Sequence, residues 1–157
     1  MQGRPGTLGD VQKMKNNFLK LAQKEAEKSK CVRSKVGAVL VKKGKVLTKG
    51  HNGPMKNGIN CLKQGCIREK LNIPHGEKND FCYGVCAEQN AIFECAKNGI
   101  SCEGGEIYST RQPCSVCVKA MMAAGIKKIL FIEKRFDEFS NELLTTSGLE
   151  IVNLQTL

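Results

Sequence analysis

The sequence predicts an α/β protein with three layers, α/β/α, built around a five-stranded mixed sheet. The chain has 157 residues, of which 41% are apolar, and this is enough to bury one core. An early hairpin pattern is followed by strands that alternate with helices, which is typical of right-handed crossovers and a parallel sheet. The hairpin adds an antiparallel edge, so we expect residues 1–157 to form a single domain.

The first half of the chain supplies a helix, a hairpin and a long insertion. Residues 11–30 place apolar side chains at helical spacing, which predicts an amphipathic helix on one face of the sheet. Residues 36–50 read VGAVLVKKGKVLTKG, and two apolar runs around a Lys-Gly turn predict two antiparallel strands. Residues 52–82 show little periodicity, and so long a loop is uncommon unless something pins it.

The second half alternates regularly between helices and strands. Gly99, Gly125 and Gly148 each follow a helical pattern at the position of a C-terminal cap, which supports the boundaries. The predicted elements are helices over 86–97, 114–124 and 136–145 and strands over 105–110, 127–133 and 149–154.

Composition narrows the possible function classes. The apolar runs are too short to cross a bilayer and the N-terminus MQGRPGTLGD has no signal-peptide pattern, so we expect a cytoplasmic protein without a membrane partner. Nine cysteines in a reducing compartment indicate metal binding or catalysis rather than disulfides. The net charge of +10 suits an anionic ligand, although solvated turns account for most of the lysines.

Two cysteine motifs stand at the starts of predicted helices. Cys114 and Cys117 share one helical face, and the positive potential of a helix start favours thiolates. Neighbouring crossovers bring Cys86 to the same end of the sheet, so three thiolates can bind a tetrahedral zinc whose fourth position is open for water. Glu88 can reach that water without binding the metal. The pattern C-x-E followed by P-C-x-x-C is the Cys₃ variant of the zinc nucleobase deaminase signature.

Longer stretches of the chain resemble the deoxycytidylate deaminases of the cytidine deaminase superfamily. The resemblance covers about residues 30–154, and it differs from most deoxycytidylate deaminases in having Cys86 where they have His. It implies a cytidine-deaminase-like fold and hydrolysis of dCMP to dUMP and ammonia, with Glu88 as the proton carrier. The stretches are SKCVRSKVGAVLV, GHNGPMKNGINC, GCIREKLNIPHGEKNDFCYGVCAEQNAI and PCSVCVKAMMAAGIKKI.

The resemblance implies further site residues, and the chemistry of the site suggests two arginines. Asn52 is expected to contact the sugar or base, and the backbone at Ala87 and Glu88 to hold the pyrimidine edge. Three anionic ligands lower the effective charge of the metal, and we expect Arg111 to offset this from its position three residues before Cys114. For the phosphate, Arg33 is favoured over two lysines because a guanidinium binds two oxygens at once. Those lysines are Lys35 and Lys49.

Four other cysteines lie in or near the insertion. A long polar loop cannot order itself by burial, so we expect a structural zinc there, as similar enzymes have. Its ligands would be Cys61, Cys66 and Cys82, with Cys31 or His75 as the fourth. The resemblance also implies a homo-oligomer, with a hexamer favoured. Met121, Met122 and Ile126 extend beyond one helical stripe, which indicates burial on more than one side.

Several alternatives remain open at this point. The substrate can instead be dCTP, free cytidine or deoxycytidine, a modified cytosine nucleotide, or a base in RNA or single-stranded DNA. A different class is a zinc-stabilised nucleic-acid-binding module. Such a module has no need for a carboxylate such as Glu88 between its zinc ligands, which here would be Cys86 on one side and Cys114 and Cys117 on the other. Because the insertion over 52–82 would restrict entry to a monomer, we expect no stable nucleic-acid binding.

Overall fold

A computed structural model of the protein describes residues 7–135 and 137–156. The elements confirm the predicted alternation after the hairpin. In chain order they are α1 (Leu8–Ala26), β1 (Gly37–Lys42), β2 (Lys45–His51), β3 (Gly53–Pro54), α2 (Cys61–Gln64), α3 (Ile67–Lys70), β4 (Gly84–Val85), α4 (Ala87–Lys97), β5 (Glu106–Arg111), α5 (Ser115–Ala123), β6 (Lys128–Glu133), α6 (Glu138–Thr146), β7 (Glu150–Asn153) and a 3-10 turn (Leu154–Thr156).

The main sheet has five strands in the order β2-β1-β5-β6-β7. β1 pairs antiparallel with both β2 and β5, whereas β5, β6 and β7 run parallel. Side chains alternate along β1, so Val39 and Val41 face α1 while Ala38 and Leu40 face α4 and its neighbours. Helices α4, α5 and α6 pack on that second face, which confirms the three-layer α/β/α fold and the mixed sheet.

The boundaries of α1 and α6 differ most from the predictions. Helix α1 begins at Leu8, where Thr7 and Asp10 form a capping box, and it ends at Ala26 rather than residue 30. Ser29 lies beyond the helix, and its hydroxyl binds Asn52 across the fold. The helix predicted from residue 136 begins at Glu138, and its expected first residue lies outside the described residues.

The insertion is more ordered than its sequence predicts. It contains two one-turn helices, α2 and α3, and its ends meet because β3 pairs with β4. This pairing returns the chain to the start of α4, so the insertion borders the helix that carries Glu88. Within the described residues, every helix falls short of the length and apolar character that crossing a membrane requires.

Candidate active site

Three thiols meet where α4 and α5 begin. Cys86 and Cys114 are the N-cap residues of these helices, and their Sγ atoms lie 3.9 Å apart. The Sγ atoms of Cys114 and Cys117 are 3.6 Å apart. Sulfurs that bind a tetrahedral zinc at about 2.3 Å lie about 3.8 Å from one another, so this triangle fits the metal. Among the described residues, it is the one group of three potential ligands whose donor atoms all lie within 4.8 Å of one another.

The proximity of the thiols makes them titrate unequally. Hydrogen bonding with Cys117 and Cys86 lowers the pKa of Cys114 well below that of a free thiol, and the positive charge of Arg135 adds to this effect. Hydrogen bonding to Cys114 raises the pKa of the other two thiols. Binding of a divalent cation would replace the remaining protons and relieve the repulsion among three thiolates.

The carboxyl group of Glu88 lies directly beside the thiols. The residue is 3% exposed, and its Oε1 accepts a hydrogen bond of 2.8 Å from the hydroxyl of Ser109 on β5. Its Oε2 is 3.5 Å from the Sγ of Cys117, which donates to it. Burial raises the pKa of Glu88, and the negative charge of Cys114 adds to the rise although the hydrogen bonds oppose it. A carboxyl group with a raised pKa suits a proton carrier.

Asn52 ties the segment before β1 to the end of β2. Its Oδ1 accepts from the backbone N–H of Val36 at 2.7 Å and from the hydroxyl of Ser29 at 2.8 Å. Its Nδ2 donates to the carbonyl of Ser34 at 2.9 Å. An amide nitrogen has two hydrogens, so one N–H is left for a ligand in the cavity that Asn52 borders. The structure shows that Asn52 holds two segments of the chain together through these hydrogen bonds. Its contact with a substrate stays a prediction.

One cavity lies over the thiols and is rich in arginine. Arg33 borders it, as the predicted phosphate role requires, whereas Lys35 and Lys49 are exposed and lie outside its lining. Arg111 borders it too, with its Nη2 3.3 Å from a carboxylate oxygen of Glu133. Two further arginines, Arg68 and Arg135, also line this cavity. The sequence analysis did not single them out: Arg68 lies in the resembling stretch that begins GCIREK, but nothing in that stretch indicated a role for it, and Arg135 lies in no motif.

The second cysteine group lies along the same cavity. Burial raises the pKa of Cys61, and the charges of Cys82, Cys66 and Cys31 raise it further, so the four thiols are neighbours. His75 also borders the cavity. Within the described part of the chain, however, no three of these residues bring donor atoms within 4.8 Å of one another. The structural zinc site predicted here thus stays a prediction.

The fold and the site define a class of protein before any comparison is made. A buried glutamate beside three converging cysteines, on a mixed α/β/α sheet, is the arrangement of a zinc-dependent deaminase. The chain belongs to the cytidine and deoxycytidylate deaminase family, whose zinc-binding region matches residues 12–133.

Individual relatives agree with this membership. The chain is 31% identical to the deoxycytidylate deaminase of enterobacteria phage T2, over 90% of this chain and 93% of that protein. It is 32% identical to the ComE operon protein 2 of Bacillus subtilis, but it spans 65% of that protein's length. The dCMP deaminase of cyanophage S-TIM5, solved in complex with dCMP and dUMP, superposes with a TM-score of 0.71 at 28% identity and covers 90% of this chain and 97% of that one.

Proposed function

We propose that the protein hydrolyses dCMP to dUMP and ammonia. The observation that carries the proposal is the contact of the buried Glu88 carboxyl group with the cysteine triangle. Family membership supports the chemistry, and the cyanophage relative that binds dCMP and dUMP supports the substrate.

The residues of the chain divide the work of this reaction. The triangle of Cys86, Cys114 and Cys117 would hold the zinc, which supplies a Lewis acid that makes a water acidic. Glu88 takes the proton of that water as oxygen adds to carbon 4 of the cytosine ring. The same carboxyl group delivers that proton to ring nitrogen 3, then takes the second proton from the oxygen added at carbon 4 and passes it to the amine. The bond between carbon 4 and the amine breaks as the carbonyl forms, and ammonia leaves. Ser109 holds the carboxyl group in place for these transfers.

Replacement of Glu88 by Gln tests this division of roles. We expect the Glu88→Gln variant to retain zinc and to lose ammonia release from dCMP, because an amide cannot accept the proton. Glu94→Gln is the matched control, since Glu94 lies on the exposed side of the same helix and pairs with Lys97. Parent protein that binds zinc but releases ammonia from none of cytidine, CMP, dCMP, dCTP and 5-methyl-dCMP would refute the proposal, and the same panel identifies the preferred substrate.

We also propose that a second zinc pins the insertion through its cysteines. Four neighbouring thiols and His75 provide more donors than a tetrahedral site requires. Metal analysis of Cys61→Ser should therefore show about one zinc per chain where the parent has about two. Cys95→Ser is the control, because Cys95 is also buried but lies in the core on α4. A parent with one zinc per chain would contradict the second site.

We propose that the protein acts in the cytoplasm as a homo-oligomer, with a hexamer favoured. All nine cysteines are free thiols, which suits a reducing compartment. Met121 and Ile126 are buried in the core and are therefore not available to a partner chain. Met122 is 44% exposed, and Phe93 on the adjacent helix α4 is 48% exposed. Such side chains favour a partner surface. A monomer by light scattering at working concentration would contradict the oligomer.

A further inference from the structure

The positive charge of the protein is concentrated in the first 56 residues of the chain. Residues 1–56 contain 14 Lys and Arg side chains and 3 Asp and Glu side chains, which gives a net charge of +11. Residues 57–157 contain 11 and 12 of these side chains, which gives a net charge of −1. The basic segment supplies α1 and the β1–β2 hairpin, so the excess charge lies at one edge of the sheet and on the helix that covers it. Such an asymmetry indicates a polyanionic partner.

The solvent side of α1 carries a row of lysines. Over residues 11–24 the helix has four lysines and no acidic residue. Lys13, Lys20 and Lys24 are exposed and share one helical face, because they are spaced by seven and by four positions. Leu19 and Ala22, on the other side of the helix, are buried against the sheet. Within residues 7–135 and 137–156, none of the three lysines has a carboxylate oxygen within 4.0 Å.

Strand β2 runs beside α1 in the same direction. At its end, the Nδ1 of His51 lies 3.0 Å from a carboxylate oxygen of Glu25, in the last turn of α1. At its beginning, Gly44 lies so near the first half of the helix that a Cβ built on it would be 3.2 Å from the Cε of Met14. The hairpin therefore adds exposed lysines next to the row on α1. These are Lys43 in the turn and Lys49, whose strand partner Val39 packs beneath α1.

A nucleic-acid duplex fits this surface better than other polyanions do. Lys13 and Lys24 are about 16 Å apart along the helix axis, a length over which one strand of a duplex presents about five phosphates. Binding of single strands relies on aromatic side chains that stack on bases. Phe18, the aromatic residue of α1, instead packs against Tyr108 with 5.1 Å between ring centroids. A helix that lies on a membrane gives its apolar face to the lipid, whereas that face of α1 is already packed on the sheet.

We propose that α1 and the β1–β2 hairpin form a docking surface for the phosphate backbone of a nucleic-acid duplex, through Lys13, Lys20, Lys24, Lys43 and Lys49. As far as the structure describes the lining of the active-site cavity, it includes none of these five residues. The expectation of no stable nucleic-acid binding rests on access to the active site, and this outer face is not subject to it. Lysines bind phosphates as point charges and read no bases, so the duplex is a partner of the enzyme rather than its substrate.

Removal of three charges from α1 tests the surface. The triple variant Lys13→Gln, Lys20→Gln, Lys24→Gln and the parent are titrated into a short fluorescein-labelled DNA duplex, and anisotropy is recorded between about 50 and 200 mM salt. We expect binding to weaken at least about 10-fold and the slope of log K against log salt to fall by about three, because each lysine on a phosphate releases about one counter-ion.

A matched control separates this surface from net charge alone. The triple variant Lys97→Gln, Lys119→Gln, Lys127→Gln removes the same charge from exposed positions on α4, on α5 and before β6. It should keep the salt slope of the parent. Equal losses in the two triple variants would refute the surface, as would a parent that does not bind the duplex at about 50 mM salt.

Competition experiments identify the partner and keep the test independent of catalysis. Ammonia release from dCMP should be unchanged in the α1 triple variant, and excess dUMP should leave the duplex bound. Displacement by dUMP would place the nucleic acid in the active site and overturn the proposal. Binding of phosphatidylserine vesicles or of polyglutamate as tightly as the duplex, at the same salt, would also overturn it. If the parent deaminates nothing, the proposed function fails while duplex binding still decides this proposal.

Discussion

A single added methyl group on β2 should disturb catalysis by displacing the helix that carries Glu88. Gly50 faces α4 so closely that a Cβ built on it would lie 2.3 Å from the carbonyl oxygen of Ala87 and 2.6 Å from the backbone nitrogen of Ala91. Both obstructing atoms belong to the main chain, so no change of rotamer can make room. Strand and helix must separate in Gly50→Ala.

The size of the effect follows from these distances. A carbon and an oxygen in contact lie about 3.3 Å apart, so the first turn of α4 must move by about 1 Å. Overpacking of this kind costs about 1–3 kcal/mol of unfolding free energy. Ala87 adjoins both Cys86 and Glu88, and a displacement of about 1 Å at reacting groups can lower turnover about 100-fold.

Gly37→Ala provides the matched control on the other face of the same hairpin. A Cβ on Gly37 would lie 2.0 Å from the carbonyl oxygen of Ala22, so it displaces α1 rather than α4. We expect both variants to lose stability in urea denaturation, but only Gly50→Ala to lose about 100-fold in kcat on dCMP, assayed well below the Tm of each variant. Parent-like turnover in Gly50→Ala, or equal losses in both, would refute the argument that the position of α4 controls the chemistry.

Three further variants test other parts of the molecule. Ser109→Ala removes a hydrogen bond to a buried carboxyl group and should cost about 1.5–3 kcal/mol of transition-state stabilisation with zinc content unchanged, so an unchanged kcat would exclude a positioning role. Cys114→Ser should lose about one zinc per chain together with activity, and retention of both would defeat the three-ligand site. Glu25 is buried, which raises its pKa, but hydrogen bonds from Lys28 and His51 outweigh burial and hold the pKa below its ordinary value of 4.5. Its contribution to stability is therefore present above pH 4.5 and lost as pH falls through the lower folded value, so denaturation curves of Glu25→Gln and the parent should differ at pH 6 and converge in acid.

The sequence by itself was sufficient to predict the sheet and the convergence of Cys86, Cys114 and Cys117. The continuous apolar run of β1 indicates a strand buried on both faces of the sheet, because neighbouring side chains of a strand point to opposite sides. Cys114 and Cys117 lie one helical turn apart, so their proximity is a local property of α5. Cys86 joins them because parallel crossovers place helix starts at one end of the sheet. These features depend on short-range periodicity and on general rules of chain topology.

Only the tertiary structure decided what surrounds the triangle. No pattern in the sequence distinguishes Ser109 from the other residues of its strand. Its hydroxyl reaches Glu88 only because the fold places β5 beside α4. Arg68 and Arg135 are 67 positions apart in the chain and no sequence pattern links them, yet both donate hydrogen bonds to acceptors in the segment 73–79. The conformation of that segment depends on long-range contacts rather than on a repeating pattern of its own residues. The positions of these side chains, and with them the arginine-rich cavity, were therefore settled when distant parts of the chain packed together.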